Sequence, residues 1–457
     1  MNEKENGAIY DARQLGVPKM LVLGLQHMFA MFGATVLVPI LVQSYGLPLS
    51  IQTTLLFAGI GTLFFHVCTK LKVPAFLGSS FAFLGGFQAV AELNTGKYAA
   101  MTGEEKLPYA LGGIVVAGLL YVVLAGIIKL VGVHKVMRFL PPVVTGPIII
   151  LIGLNLAPSA VSNASTCWWL ALVAMAIIVA ANIWGKGMIK IIPILLGVVG
   201  AYVVAVIANA FGATAVNAAG EVVPLMDFTS VAASKVVGLQ PFVLAKFDLT
   251  AILVMAPIAI AAMMEHIGDM SAISATVGKN FIEDPGLHRT LIGDGIATSL
   301  SALFGGPANT TYGENTGVLV LSRVYDPNVI RLAAVYAVVL SFSPAFAALV
   351  NSIPAAIIGG VSFILYGMIS AIGVRNVVEN RVDFTNSRNL IIAAVILVCG
   401  LGFTGGLTFT VGGANITLTS LAIAAIAGIL LNAILPGKDY VFGSDVTEGR
   451  SGDFGRY

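Results

Sequence analysis

Charge is scarce in this chain. Asp, Glu, Lys and Arg make up 10% of the 457 residues, against 58% hydrophobic, whereas a soluble domain carries about a quarter charged residues. That balance excludes an ordinary soluble domain, and the net charge of +2 leaves no basic surplus for nucleic acid. Cysteine is also rare. Cys68, Cys167 and Cys399 are scattered through apolar segments, which excludes a disulfide framework and a cysteine metal cluster, so each reads as a small buried hydrophobe. Residues 1–19 carry Glu3, Glu5 and Asp11 among their basic residues and lack the layout of a cleavable signal peptide. The first apolar helix is therefore expected to act as its own insertion signal.

What is abundant is long apolar sequence. A helix needs about 20 apolar residues to cross the hydrocarbon, and fourteen candidate spans can be placed. They cover residues 17–43, 50–69, 73–92, 107–130, 137–157, 167–185, 190–211, 246–271, 286–304, 308–321, 328–350, 353–372, 389–404 and 412–436. The positive-inside rule tests the count, because an error of one span scrambles every later loop. With the N-terminus inside, 20 of the 24 basic residues fall on inside segments, leaving Lys97, Lys106, Lys235 and Lys246 outside. The expectation is a multi-pass protein of the cytoplasmic membrane with both termini cytoplasmic.

The long outside loop 212–245 divides the chain into two halves of seven spans. Seven is odd, so the second half must be inverted relative to the first, the plan of many secondary transporters. The expected fold class is thus an all-α polytopic membrane protein with a 7+7 inverted repeat. Such a plan predicts paired broken segments, and the third span of each half supplies them. Residues 73–81 carry Pro74 and Gly78, and residues 306–314 carry Pro307 and Gly313. Each is expected to run as a short extended stretch before a half-helix starting near Phe81 or Glu314, with free N–H groups facing a polar ligand. The alternative is a pair of packing kinks.

Four acidic residues lie well inside predicted spans: Glu265, Asp269, Asp294 and Glu314. Such residues by default mark a site. Glu265 and Asp269 are four apart on one helical face, with no Lys or Arg near them in sequence, which makes them candidates for ligand binding and for carrying a proton. Asp269 and Asp294 also fit a packing role. His27, within the first span, is as readily a structural hydrogen-bonding group as a functional one. His266 reads as packing, and His66, His134 and His288 read as interfacial.

Six motifs together carry a family resemblance: Gln26-His-Met-Phe-Ala-Met-Phe-Gly-Ala-Thr-Val-Leu-Val-Pro39, Pro74-Ala-Phe-Leu-Gly-Ser-Ser-Phe-Ala-Phe83, Glu265-His-Ile-Gly268, Asp284-Pro-Gly-Leu-His-Arg289, Asn309-Thr-Thr-Tyr-Gly-Glu-Asn315 and Gly359-Gly-Val-Ser362. In this order, over residues 17–436, the chain resembles the nucleobase–ascorbate transporter (nucleobase:cation symporter-2) family, in particular its bacterial uracil permeases. The resemblance implies a proton-coupled uracil importer and not an enzyme, with a co-transported proton, no other cofactor and no metal. It implies a core domain (residues 17–130 and 246–351) and a gate domain (131–211 and 352–436), flanked by tails 1–16 and 437–457, with a homodimer formed through the gate among membrane lipids. It also implies substrate contacts from Glu265, Glu314, Phe81, Ser80, Ala34, Tyr312 and Gly313, with Tyr366 facing them from the gate, and proton coupling through Asp269, Glu265, Asp294 and His27.

Two departures bear on substrate. One uracil permease of the family carries a second His where this chain has Asp269, whereas purine-transporting relatives carry Asp there and resemble this chain in the Gly293-Asp294-Gly295 turn. Purine transporters place Gln at the position of Glu314, so Tyr312-Gly-Glu-Asn315 favours uracil. The alternatives are a xanthine or guanine proton symporter and an anion transporter on the same inverted-repeat plan. Mid-membrane carboxylates without basic partners oppose an anion, and no nucleophile–base or metal spacing supports a membrane enzyme.

Overall fold

A computed structural model describes residues 8–437, apart from 95, 217–219 and 412–413. Most of the two predicted tails, and the side chain of His134, lie outside the described residues. Fourteen principal helices follow in chain order: α1 (Val17–Ser44), α2 (Ile51–Cys68), α3 (Leu84–Ala91), α4 (Gly103–Val131), α5 (Pro142–Ser165), α6 (Trp168–Ile183) and α7 (Pro193–Ala210), then α8 (Leu249–Val277), α9 (Leu287–Leu303), α10 (Gly313–Ser322), α11 (Pro327–Ser341), α12 (Ala355–Glu379), α13 (Ser387–Gly402) and α14 (Ser420–Ile434). By length and composition seven cross a membrane unaided, and α11 with the helix Pro344–Asn351, bent by 88°, makes an eighth. The other six are shorter. Three two-stranded ribbons complete the described residues: β1 (Leu77–Ser79) with β4 (Asn309–Thr311), β2 (Thr214–Val216) with β3 (Val222–Pro224), and β5 (Leu407–Val411) with β6 (Ala414–Leu418).

Several boundaries differ from the sequence expectation, each for a local reason. The fifth span begins at Pro142 rather than residue 137, because proline suits the first turn of a helix and not its interior. The twelfth runs on to Glu379, where Arg375 and Glu379 pair one turn apart at 2.6 Å. The fourteenth was expected from residue 412, but residues 407–418 form the β5–β6 hairpin. Its strands alternate apolar and polar residues, a period-2 pattern that hydropathy averaging hides. The helix starts only at Ser420, after Thr419 accepts a hydrogen bond from the N–H of Ala422.

The inverted repeat is visible in the packing. Helices α4 and α9 cross so closely that a Cβ on Gly295 would stand 2.5 Å from the Gly118 carbonyl oxygen, and one on Gly118 would stand 2.5 Å from that of Gly295. The repeat-related pair is α11 with α2, and a Cβ on Gly59 would lie 2.5 Å from the Ala334 carbonyl. Helices α5 and α12, related to each other, meet at Gly146 and Gly373. Lipid supplies no hydrophobic drive between helices, so close backbone approach at small residues is what packs them. The most extensive helix contacts lie within two sets, α1–α4 with α8–α11 and α5–α7 with α12–α14, while α1 also meets α7 and α8 meets α5 and α14.

Gly295→Val should therefore sharply lower the yield of monodisperse protein on size-exclusion chromatography, because overpacking costs about 1–3 kcal/mol or more. Gly126→Ala, in the same region of α4 but with nothing within 4 Å of the new methyl, should leave the profile unchanged.

Candidate functional site

Both third segments break as expected. The first runs through β1 and a short 3-10 turn (Phe81–Phe83) into α3, and the second runs through β4 into α10. At about 1.5 Å per residue, the ten residues of α10 span roughly half a bilayer. The strands pair antiparallel, Leu77 with Thr311, Gly78 with Thr310 and Ser79 with Asn309. Backbone bonds extend the ribbon at both ends, from Ser80 N–H to Ala308 C=O at 2.9 Å and from Tyr312 N–H to Phe76 C=O at 3.0 Å. Each repeat clips its own strand with a threonine from its second helix. Thr62 Oγ1 accepts from Leu77 N–H at 2.9 Å, and Thr298 Oγ1 accepts from Asn309 N–H at 3.2 Å. Buried backbone that leaves a helix must find such partners.

The ribbon sets where the candidate residues stand. Glu314 falls in the first turn of α10, and α8 packs against β4, α10 and the turn at Phe81. Glu265, Asp269 and Glu314 consequently lie within electrostatic range of one another. Glu265 Oε2 and Ser80 Oγ are buried with no protein hydrogen-bond partner among the described residues, and buried polar groups of that kind call for a polar ligand. Phe81 meets Tyr366 of α12 edge-on, with centroids 6.2 Å apart and planes at 74°. Ala34, wholly buried in α1, adjoins Thr35, whose carbonyl accepts from Ser79 Oγ at 2.8 Å.

Not every candidate side chain is free to contact a ligand. The Tyr312 hydroxyl donates to the Ser79 carbonyl at 2.9 Å and lies 3.4 Å from Thr35 Oγ1, so the ring serves as a strut between α10, β1 and α1. A Cβ on Gly78 would stand 2.4 Å from that ring, which is why glycine occupies the position. Gly313, by contrast, is exposed in the structure and faces Asp269 Oδ1. His27 is wholly buried, and Asn315 Nδ2 lies 3.2 Å from its Nδ1 and donates to its carbonyl at 3.1 Å, tying α1 to α10.

Asp294 stands apart from the other carboxylates in its bonding. Its Oδ2 is 2.9 Å from His266 Nδ1, and both side chains are fully buried. Thr290 Oγ1 donates to the Leu287 carbonyl and so accepts from His266 Nε2, 3.0 Å away. His266 thus stands between Asp294 and Thr290, both on α9. His266, expected to be packing only, is thus the partner of Asp294. His66 differs from its interfacial expectation too: it is fully buried, with Nε2 2.9 Å from the Ala75 carbonyl, holding the chain that enters β1.

Sequence reasoning missed Thr311, which donates from Oγ1 to Asp269 Oδ2 at 2.8 Å, along with Asn315 and Thr290. All three lie within or beside the six motifs, but only the fold brings them to Asp269, His27 and His266. Chemically the site offers carboxylate acceptors, helix N–H donors and an aromatic face, with no Lys or Arg hydrogen-bonded to its carboxylates among the described residues. That set suits a flat neutral molecule bearing both N–H and C=O groups.

A family model described as "Permease family" (Xan_ur_permease) matches residues 18–408. The uracil permease of Bacillus caldolyticus is 42% identical over 437 residues, covering 92% of this chain and 93% of its own length. The uracil permease of Bacillus subtilis is 39% identical over 90% of this chain and 91% of its own. Among solved structures, the transmembrane domain of the cyanobacterial bicarbonate transporter BicA superposes with a TM-score of 0.63 at 15% identity, covering 87% of this chain and 98% of that one. That likeness carries the 7+7 inverted-repeat fold and no ligand.

Asp294→Leu should strip the buried imidazole of its partner and lower thermal stability strongly, since breaking a buried pair costs about 3–5 kcal/mol. Asp294→Asn, which keeps a hydrogen-bond acceptor for His266, should lose markedly less in the same thermal-unfolding measurement.

Proposed function

The chain belongs to this permease family, the nucleobase–ascorbate transporters, and on that premise we propose that it imports uracil across the cytoplasmic membrane by proton symport. The observation that carries the reading is Glu314 at the head of α10, within range of Glu265 and Asp269, with the turn at Phe81 packed on the same α8. Uracil alternates N–H donors and C=O acceptors along its edge. An ionised carboxylate accepts from N–H, and a protonated one also donates, so carboxylates sharing a proton complement that edge. Phe81 covers the ring face. The relatives at 39–42% identity named uracil permeases support the pyrimidine over a purine.

In this reading α1–α4 and α8–α11 form the core that carries substrate, while α5–α7 and α12–α14 form the gate and the homodimer contact. Both termini are cytoplasmic, as the distribution of basic residues argues. A proton taken up on Asp269 or Glu265 from outside neutralises the site and admits uracil. The core then moves past Tyr366 of the gate, and base and proton leave together. Inward movement of one charge draws about 2.3 kcal/mol per 100 mV from the membrane potential.

Radiolabelled uracil should accumulate in proteoliposomes under an inward proton gradient and collapse to equilibration when a protonophore is added; accumulation indifferent to protonophore would remove the coupling. Glu314→Gln should weaken uracil binding at least tenfold, about 1.4 kcal/mol, by calorimetry or thermal shift, and an unchanged affinity would take Glu314 out of the site.

A further inference from the structure

A polar cavity lies at the end of the α5–α7 and α12–α14 group where α5 and α13 begin and α14 ends. It has a volume of about 170 Å³, and its polar lining includes Arg138, Arg381, Asp383, Arg388, Asn389 and Asn432. These residues come from the entry to α5, the α12–α13 connection, the first turn of α13 and the last turn of α14.

The cavity has a built frame. Asn432 is 1% exposed, donates from Nδ2 to the carbonyls of Arg138 and Phe139 at 3.1 and 3.2 Å, and accepts from Arg388 Nη2 at 2.6 Å. Arg388 also donates to the Asn432 carbonyl at 3.0 Å, so it serves the frame. Arg138 and Arg381 are different. Both are exposed, and among the described residues neither guanidinium has a hydrogen-bond or ion-pair partner. Arg381 moreover sits at φ +49°, a left-handed conformation that a glycine would adopt without strain. Keeping an arginine at that turn is the kind of backbone outlier that accompanies a binding role.

Asp383 also faces the cavity. Hydrogen bonds from the hydroxyl and N–H of Thr385 hold its carboxyl below the ordinary aspartate value, so it stays ionised near neutrality. Arg138 and Arg381 against this one carboxylate leave a cationic excess, with an acceptor available for a ligand's hydroxyl groups. Phe139 and Leu390, next in sequence to Arg138 and Asn389 of the lining, are 46% and 54% exposed. A guanidinium pair matches phosphate oxygens, and basic pockets between helix ends with an apolar border suit anionic lipids.

We propose that this cavity binds the phosphodiester headgroup of an anionic phospholipid such as phosphatidylglycerol. Arg138 and Arg381 close on the phosphate, Asp383 accepts from the glycerol hydroxyls, and the acyl chains lie on Phe139 and Leu390. The site would link the leaflet to the α12–α13 connection, and it is independent of which base is transported.

The test is thermal unfolding of the full chain in neutral detergent, titrated with phosphatidylglycerol, phosphatidylcholine, inorganic phosphate or glycerol 3-phosphate. Phosphatidylglycerol should raise the melting temperature saturably, and Arg138→Gln/Arg381→Gln should require at least tenfold more of it. Arg381→Gly guards against a folding artefact, because it removes the guanidinium while relieving the left-handed turn. It should melt no lower than the parent without lipid and still lose the phosphatidylglycerol shift. An equal shift with phosphatidylcholine, or variants that titrate like the parent, would overturn the site. Equal stabilisation by inorganic phosphate or glycerol 3-phosphate would overturn the lipid as its source.

Discussion

The pairing of β1 with β4 is the constraint on which the rest of this structure depends. Two segments leave the helical state inside the bundle, and each exposes backbone groups that no lipid can satisfy. They satisfy one another through three residue pairs, extended at both ends by the Ser80–Ala308 and Tyr312–Phe76 bonds. Because the second repeat is inverted, the strands meet antiparallel and the half-helices leave in opposite directions. Thr62 and Thr298 hold the ribbon to its own repeats, and the first turn of α10 is delivered beside α8.

That placement governs the charges. The ribbon brings Glu314 to Glu265 and Asp269, and Thr311 of β4 itself donates to Asp269. Asp294, equally deep, stands 2.9 Å from His266 instead. What remains for a ligand is a set of acceptors and helix N–H donors, a polarity suited to a neutral ring with its own N–H groups. The bicarbonate transporter that shares the fold shows that the scaffold does not choose the ligand.

Packing explains how such a site can be both rigid and exposed in turn. Within each helix group the backbones touch, at Gly118 with Gly295, Gly59 with Ala334, and Gly146 with Gly373. Between the groups contact runs through side chains, as at Gly33 against Ile194 and Phe81 against Tyr366. An apolar crevice lined by Phe32, Val36, Leu195 and Val361 follows the same boundary. Interlocked backbones resist shear, whereas apolar side-chain surfaces exchange one contact for another at little cost.

Much of this was legible in the residues alone. Apolar run lengths, the distribution of basic residues and the odd number of spans per half determine the membrane class and the inverted repeat, because hydrocarbon thickness and backbone satisfaction leave few alternatives. The breaks at Pro74 and Pro307, and the membrane carboxylates, also follow from composition at a known depth. Tertiary structure decided the pairings: Asp294 with His266, Asp269 with Thr311, His27 with Asn315, and Tyr312 with Ser79. It decided too that residues 407–418 form a hairpin and that Arg138 and Arg381 share a cavity. Those outcomes join residues from different helices, and which of several polar groups meets which is fixed by helix rotation and crossing, quantities that a one-dimensional pattern of hydropathy does not contain.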